Sequence, residues 1–266
     1  MTSIGGGKYL LTFVDDFSRK VWVYILKSRD ETFACFRQWK AMVETQTERK
    51  VKYLRSDNGT EFRSGEFEKY CRDAGIIRHY TTVGTPQQNG VAERMNRTLL
   101  ERTHCMLSHA GLPQSLWAEE VTTACYLVNR SPSTAIDCKT PEEVWSGKPP
   151  QYDHLKVFGC PAYAHIRQNK LEPRALKCFF LGYGDGVKGY RLWCKDAKPP
   201  KVIVSRDVTF DEMAIVTLAC RQLDEASTSG GASPGGGSEA ERVAERVTFE
   251  VETPVTESTT VDSQQQ

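Results

Sequence analysis

Two apolar runs open the chain, residues 8–14 (KYLLTFV) and 21–26 (VWVYIL), divided by the polar stretch Asp15-Asp16-Phe17-Ser18-Arg19-Lys20. Short runs of β-branched and aromatic residues on either side of a polar turn predict an antiparallel hairpin. Residues 30–46 then bring Phe33, Phe36, Trp39, Lys40 and Val43 onto one face at helical spacing. A short strand is expected at 51–54 and a second helix at 61–74, stopped by Gly75, where a left-handed cap forms easily. A strand at 76–82 and helices at 90–109 and 114–130 follow. The order strand, strand, helix, strand, helix, strand, helix, helix predicts a mixed sheet with helices packed on it, an α/β architecture.

Beyond residue 150 the pattern changes. Extended runs at 155–166, 178–183, 190–194 and 202–210, with Gly182, Gly184, Gly186 and Gly189 between the middle two, predict a small antiparallel β-barrel. From about residue 217 the chain is rich in Ser, Thr, Gly and Glu, a composition that buries too little apolar surface to order itself. The expected division is 1–150, 151–212 and a disordered tail, 213–266.

Charge sharpens this division. Residues 213–266 hold three basic and nine acidic side chains, a net −6, so the first 212 residues carry +7 against +1 overall. A basic surplus of that size is compatible with a polyanionic partner. Nine cysteines without any Cys-x-x-Cys pair support neither a disulfide framework nor paired zinc-ligand spacing. His104 and His109, five apart, do not share a helical face as ligands four apart would. No apolar run approaches the roughly 20 residues of a membrane span, and the first seven residues lack the pattern of a signal peptide. An intracellular protein without a membrane partner is expected.

Two segments carry candidate chemistry: Leu54-Arg55-Ser56-Asp57-Asn58-Gly59-Thr60-Glu61-Phe62, and Gly84-Thr85-Pro86-Gln87-Gln88-Asn89-Gly90-Val91-Ala92-Glu93-Arg94-Met95-Asn96-Arg97. Alone, Asp-Asn-Gly is a common turn and Glu93 an ordinary first-turn carboxylate favoured by the helix dipole. As a pair they are separated by 35 residues, filled by one helix and one strand.

That spacing and its flanking residues resemble the Asp, Asp-35-Glu core of retroelement integrases. Val14-Asp15-Asp16-Phe17-Ser18-Arg19, Asn129-Arg130-Ser131-Pro132, Thr140-Pro141-Glu142-Glu143-Val144-Trp145-Ser146-Gly147, Val157-Phe158-Gly159-Cys160 and Ser205-Arg206-Asp207-Val208-Thr209-Phe210 extend the likeness, in particular to copia-type retrotransposons, over residues 5–212. The resemblance implies an RNase H-like catalytic core followed by an SH3-like β-domain. It implies in-line attack of a hydroxyl on a phosphodiester, with two Mg²⁺ (or Mn²⁺) ions roughly 4 Å apart stabilising the attacking and leaving oxygens. Asp57 and Glu93 would be catalytic metal ligands, one for each ion, with a third carboxylate bridging both. Asn89 and Arg97 match the family's contacts to the element's DNA ends, and Arg94 is a weaker candidate. DNA is the implied partner, a homo-oligomer the implied assembly and the nucleus the implied compartment.

In this family the bridging aspartate lies on a strand upstream of residues 8–14. No acidic residue precedes Asp15 here, so the first strand is expected to be missing, the strand at 8–14 to have an open edge, and the chain to be inactive in joining DNA ends. Asp15 and Asp16 are expected to be turn carboxylates or to pair with Arg19. Lys170, Arg174, Lys177, Lys188 and Arg191 are candidate phosphate contacts of the β-domain. The alternative functions are a non-catalytic DNA-binding or assembly module and, behind it, a ribonuclease H.

Overall fold

The computed structural model describes residues 1–57, 59–80, 90–165, 175–184, 186–215 and, as backbone, 246–251. The hairpin forms as expected: β1 (Tyr9–Asp15) pairs antiparallel with β2 (Val21–Leu26). Helix α1 (Glu31–Thr47), β3 (Tyr53–Ser56), α2 (Gly65–Asp73), β4 (Ile77–Tyr80), α3 (Gly90–Ala110) and α4 (Trp117–Val128) follow in the expected order. The helix expected at 61–74 is broken. Thr60–Phe62 makes one 3-10 turn, and α2 restarts behind Ser64, whose Oγ accepts from the Phe67 amide at 3.3 Å. A serine offering an oxygen to the open first turn is a strong start signal, and it overrides the continuous apolar spacing.

Alternation along β1 builds two cores. Leu11 and Phe13 turn to one face, where Phe36, Trp39 and Val43 of α1 and Phe67 and Cys71 of α2 cover them; the Phe13 and Trp39 rings stack at 4.5 Å. Leu10 and Val14 turn to the other face, under Leu99 of α3 and Trp117, Val121, Ala124 and Val128 of α4. A strand covered on both faces loses the polar alternation of a half-solvated one, which is why residues 8–14 read as a nearly continuous apolar run. At the sheet's edge, Asn129 binds the backbone of Val21 on both sides, accepting from its N–H at 2.9 Å and donating to its carbonyl at 2.7 Å.

The first sheet has the order β2-β1-β10-β3-β4. Its central member, β10 (Arg246–Val251), comes from within residues 213–266, and its pairing corrects one expectation, the open edge of β1. Six residues of that segment are extended and paired; the flanking residues 216–245 and 252–266 lie outside the described residues. The strand β1 has no open edge. It pairs with β10 in parallel from Leu10↔Arg246 to Asp15↔Val251, while β10 runs antiparallel to β3 through Phe249↔Ser56 and Glu250↔Arg55. The backbone groups of an internal sheet position need partners, and the Val-Thr-Phe-Glu-Val run has the β-propensity to supply them.

After α5 (Pro141–Ser146), capped by Thr140, comes the second sheet: β5 (Pro161–His165), β6 (Ala175–Tyr183), β7 (Tyr190–Cys194), β8 (Lys201–Ser205) and β9 (Val208–Phe210). Residues 155–160, expected as strand, form none and turn at Phe158-Gly159, and the run at 202–210 is two strands. The order is β8-β7-β6-β5-β9, all antiparallel. The edge strands β8 and β9 are joined by only Arg206 and Asp207, a reach of at most about 11 Å. Five flat strands would set the edges about 19 Å apart, so the sheet curls on itself around Phe180, Tyr190 and Phe210. That is the expected barrel-like form.

Helix α4 ties the two sheets together. Thr123 Oγ1 donates to the Leu181 carbonyl of β6 at 2.5 Å, Glu119 pairs with both Nε and Nη2 of Arg191 of β7, and the Tyr126 ring stacks on Tyr183 at 4.1 Å. A Cβ on Gly182 would meet Thr123 Oγ1 at 2.1 Å, so only glycine permits this approach. No helix among the described residues is long and apolar enough to cross a membrane.

Candidate nucleic-acid-processing site

Asp57 stands directly after β3, where the chain leaves the sheet. Its Oδ1 accepts from the Gly59 amide at 3.1 Å, an Asx turn that holds the carboxylate at the sheet's end. Burial pushes its pKa above the ordinary carboxylate value; the Gly59 bond opposes this, and the negative charges of Glu61 and Glu93 add to it. Glu93 lies in the first turn of α3, exposed, 35 residues further on. Its charge is nevertheless felt at Asp57, so the fold brings the two carboxylates into one electrostatic neighbourhood.

The placement of Glu93 follows from packing. Asn96, three residues later and buried, accepts from Thr12 Oγ1 at 2.9 Å, pinning the start of α3 over the middle of β1. Arg97, one turn after Glu93, and Arg94 are both exposed, and Arg94 lies back along the helix beside Gly90. Asn89 falls outside the described residues.

Glu61 is a further member of this neighbourhood that sequence reasoning left without a role. Its carboxylate folds back against Gly59, where a Cβ would meet Cδ at 2.7 Å, and it faces Arg29 at 4.0 Å. The signal was present in the Asp-Asn-Gly-Thr-Glu spacing, which returns the glutamate onto the turn.

Asp15 and Asp16 do not join the site. Asp15 Oδ2 accepts from the Ser18 amide and hydroxyl, and Asp16 pairs with Arg19, as the turn reading expected. In the sheet, Ser56 is level with Phe249 and hence with Phe13. Asp57 is therefore level with Thr12, and Asp15 is three residues, about 10 Å, along and two strands across. Burial pushes the Asp15 carboxyl above its ordinary value, against the Ser18 bonds that lower it.

Among the described residues, no group of three or more His, Cys, Asp and Glu side chains is placed to hold a metal ion. Mg²⁺ favours several hard oxygen ligands in near-octahedral geometry, and Asp57 and Glu93 offer only part of such a set. In the second sheet, Arg191 is engaged by Glu119 rather than free for phosphate. Lys177 and Lys188 are exposed, and Lys170 and Arg174 lie outside the described residues.

Residues 1–86 match the integrase core domain family, and residues 160–218 match the retroviral polymerase SH3-like domain family. The retrovirus-related Pol polyprotein from transposon TNT 1-94 of Nicotiana tabacum is 54% identical over 220 residues, 82% of this chain and 16% of that polyprotein. The Pol polyprotein from transposon RE2 of Arabidopsis thaliana is 35% identical over 213 residues, 79% of this chain and 14% of its own length. Among solved structures, the HTLV-2 integrase catalytic core domain in complex with magnesium is similar at 23% identity and a TM-score of 0.38, covering 48% of this chain and 78% of that one. The chain spans about one-sixth or less of the polyproteins it matches. With an integrase core ahead of a retroviral SH3-like module, and more than half of its aligned residues identical to those of a transposon polyprotein, the chain belongs to the retrovirus-related Pol polyprotein family as a segment of its integrase region.

Proposed function

We propose that this segment serves DNA integration as the core and SH3-like part of an integrase, divided at 1–150 and 151–212, with Asp57 and Glu93 as two of its catalytic carboxylates. The observation that carries this reading is the placement of the two acids: Asp57 at the end of β3 is level with Thr12, and the Thr12–Asn96 bond pins the helix start that carries Glu93 over the same level, so that the charge of Glu93 adds to the effect of burial at Asp57. A chance Asx turn and a chance first-turn glutamate would not be expected to meet. Arg97, and secondarily Arg94, stand at the same helix start, and with Asn89, which lies outside the described residues, they are assigned to the phosphates of the element's DNA ends. The assembly is read as a homo-oligomer on DNA, acting in the nucleus.

Transfer of a phosphodiester needs more carboxylate than this pair supplies, so the chain by itself is read as unable to join DNA ends. The test is strand transfer with Mg²⁺ or Mn²⁺ on an oligonucleotide carrying the element's terminus. One arm uses this chain and the other a chain extended upstream by an aspartate-bearing strand. Product only in the extended arm, lost in Asp57→Asn, supports the reading; product in both arms, unaffected by Asp57→Asn, overturns it.

The second reading, a DNA-binding module without catalysis, is favoured by the lack of a three-ligand cluster among the described residues. It expects salt-dependent DNA binding in both arms, weakened by Arg97→Ala, and no transfer in either. Losing one phosphate contact should lower the slope of log affinity against log salt by about one.

A further inference from the structure

Two thiols meet inside the second sheet. Strands β6 and β7 pair antiparallel through Phe180↔Leu192 and Phe179↔Trp193. The next step sets Cys178 of β6 opposite Cys194 of β7, and both strands extend far enough to include them. Side chains two apart on a strand share a face, so Cys178 lies with Phe180 and Cys194 with Leu192, and all four belong to one apolar core. Both cysteines are 0% exposed. Burial raises the pKa of the Cys178 thiol, and the Cys194 thiol hydrogen-bonded to it raises it further.

Directly opposed residues of an antiparallel pair hold their Cα atoms about 4.5–5.5 Å apart, inside the roughly 4.4–6.8 Å that a disulfide spans. The strands therefore need no rearrangement for the two sulfurs to join. Cys160, the third thiol of this core, is pushed up to about 12 by burial, and the side chains acting on it are Glu212, Lys156 and Asp211 rather than a thiol. Every cysteine among the described residues is a free thiol.

We propose that Cys178 and Cys194 are a cross-strand dithiol, a site at which a hydroperoxide or a small-molecule disulfide closes a reversible bridge between β6 and β7. With a hydroperoxide, one sulfur attacks as thiolate, the O–O bond breaks, and an alcohol or water leaves behind a sulfenic acid. The second sulfur then displaces the hydroxyl, which departs as water with the second thiol's proton. The S–S bond forms, and two electrons have passed from the sulfurs to the peroxide. With a small disulfide, two exchange steps give the same bridge and release two small thiols. Cys194 is the last residue of β7, and Lys195 and Asp196 beyond it are exposed. Opening of that strand end admits the oxidant without unfolding the sheet. The bridge fastens together the strands that dock on α4, β6 through the Leu181 carbonyl and β7 through Arg191.

The experiment treats the full, reduced and folded chain with oxidised glutathione or with hydrogen peroxide. Remaining thiols are then alkylated in denaturant and the chain is cut with trypsin, which places the two cysteines in separate peptides, 178–188 and 192–195. Mass spectrometry should find these two peptides linked as the main intrachain disulfide, and dithiothreitol should separate them. The oxidised chain should unfold at a higher urea concentration than the reduced one, because the bridge restricts the unfolded chain. In Cys194→Ser, Cys178 should remain a free thiol after the same treatment; if that variant does not fold, the linked peptides of the parent decide alone. Linkage of Cys178 or Cys194 mainly to another cysteine, such as Cys160 or Cys220, overturns the proposal. So does the absence of the linked pair under conditions that oxidise the exposed Cys105 and Cys138. Linkage that forms only in urea assigns the bridge to the unfolded chain and overturns it as well, and a lower urea midpoint after oxidation shows that the bridge does not fit the paired strands.

Discussion

At the scale of single residues, the molecule holds two carboxylates against their preference for water. Asp57 has burial and two neighbouring acids raising its pKa, with only the Gly59 amide opposing them. An acid raised in the folded state gives up stability as pH rises from its unfolded value through its folded one. Asp57→Asn should therefore raise the melting temperature at pH 7 while abolishing any transfer activity of the extended chain. Calorimetry showing a lower melting temperature would contradict that charge balance. Glu120 is the sharper case. It is 0% exposed in α4, neither carboxylate oxygen has a hydrogen-bond partner among the described residues, and burial pushes it up to about 8. Stability should fall between about pH 4.5 and pH 8, by an amount on the order of 3–5 kcal/mol. Glu120→Gln, neutral throughout, should flatten this dependence and be the more stable protein at pH 8 but not at pH 5, as read by thermal unfolding at both. Nothing in the sequence separates Glu120 from its half-buried, Arg191-paired neighbour Glu119, because helical position shows which side a residue takes only once the packing partner is known.

At the scale of elements, local chemistry decided starts and stops well. Ser64 and Thr140 cap α2 and α5 with their own oxygens, and Gly75 takes the left-handed conformation expected after α2. The edge of β2 is held differently, by Asn129 acting across 108 positions. Asn129→Ala leaves both the N–H and the carbonyl of Val21 without that partner, which should cost about 2–3 kcal/mol. Urea unfolding measures it, and a loss below about 0.5 kcal/mol would show that water or a neighbour replaces the amide. The Asn-Arg-Ser-Pro motif was visible in the sequence, but its task was not, since a contact with β2 has no local signature.

For the whole molecule, the docking of the two sheets through α4 is the feature most exposed to a single atom. Gly182→Ala drives a methyl into Thr123 Oγ1 and should destabilise the protein by about 2–4 kcal/mol, in the range of overpacked sites. Removing the obstruction as well, in Thr123→Ala with Gly182→Ala, should recover part of the loss, because Thr123 Cβ stands 3.5 Å away and can be accommodated. Calorimetry of the three proteins checks this. If the double variant is no better than Gly182→Ala alone, the cost lies in the backbone conformation of Gly182 (φ +155°) rather than in the contact.

The sequence by itself determined the order of elements from β1 to α4, the change to short strands after residue 150, and the 35-residue spacing that makes Asp57 and Glu93 the candidate carboxylates. These are carried by apolar periodicity, capping residues and motif spacing, all local or nearly so. Only the tertiary structure decided that Glu61 joins the Asp57 turn, that Asp15 stands too far along β1 to take part, and that Arg191 is spent on Glu119. It alone placed Arg246–Val251 at the centre of the first sheet. Strand pairing is a matter of backbone hydrogen bonds between segments distant in the chain. A six-residue run with β-propensity looks the same in a tail as in a core until the sheet with a place for it has formed.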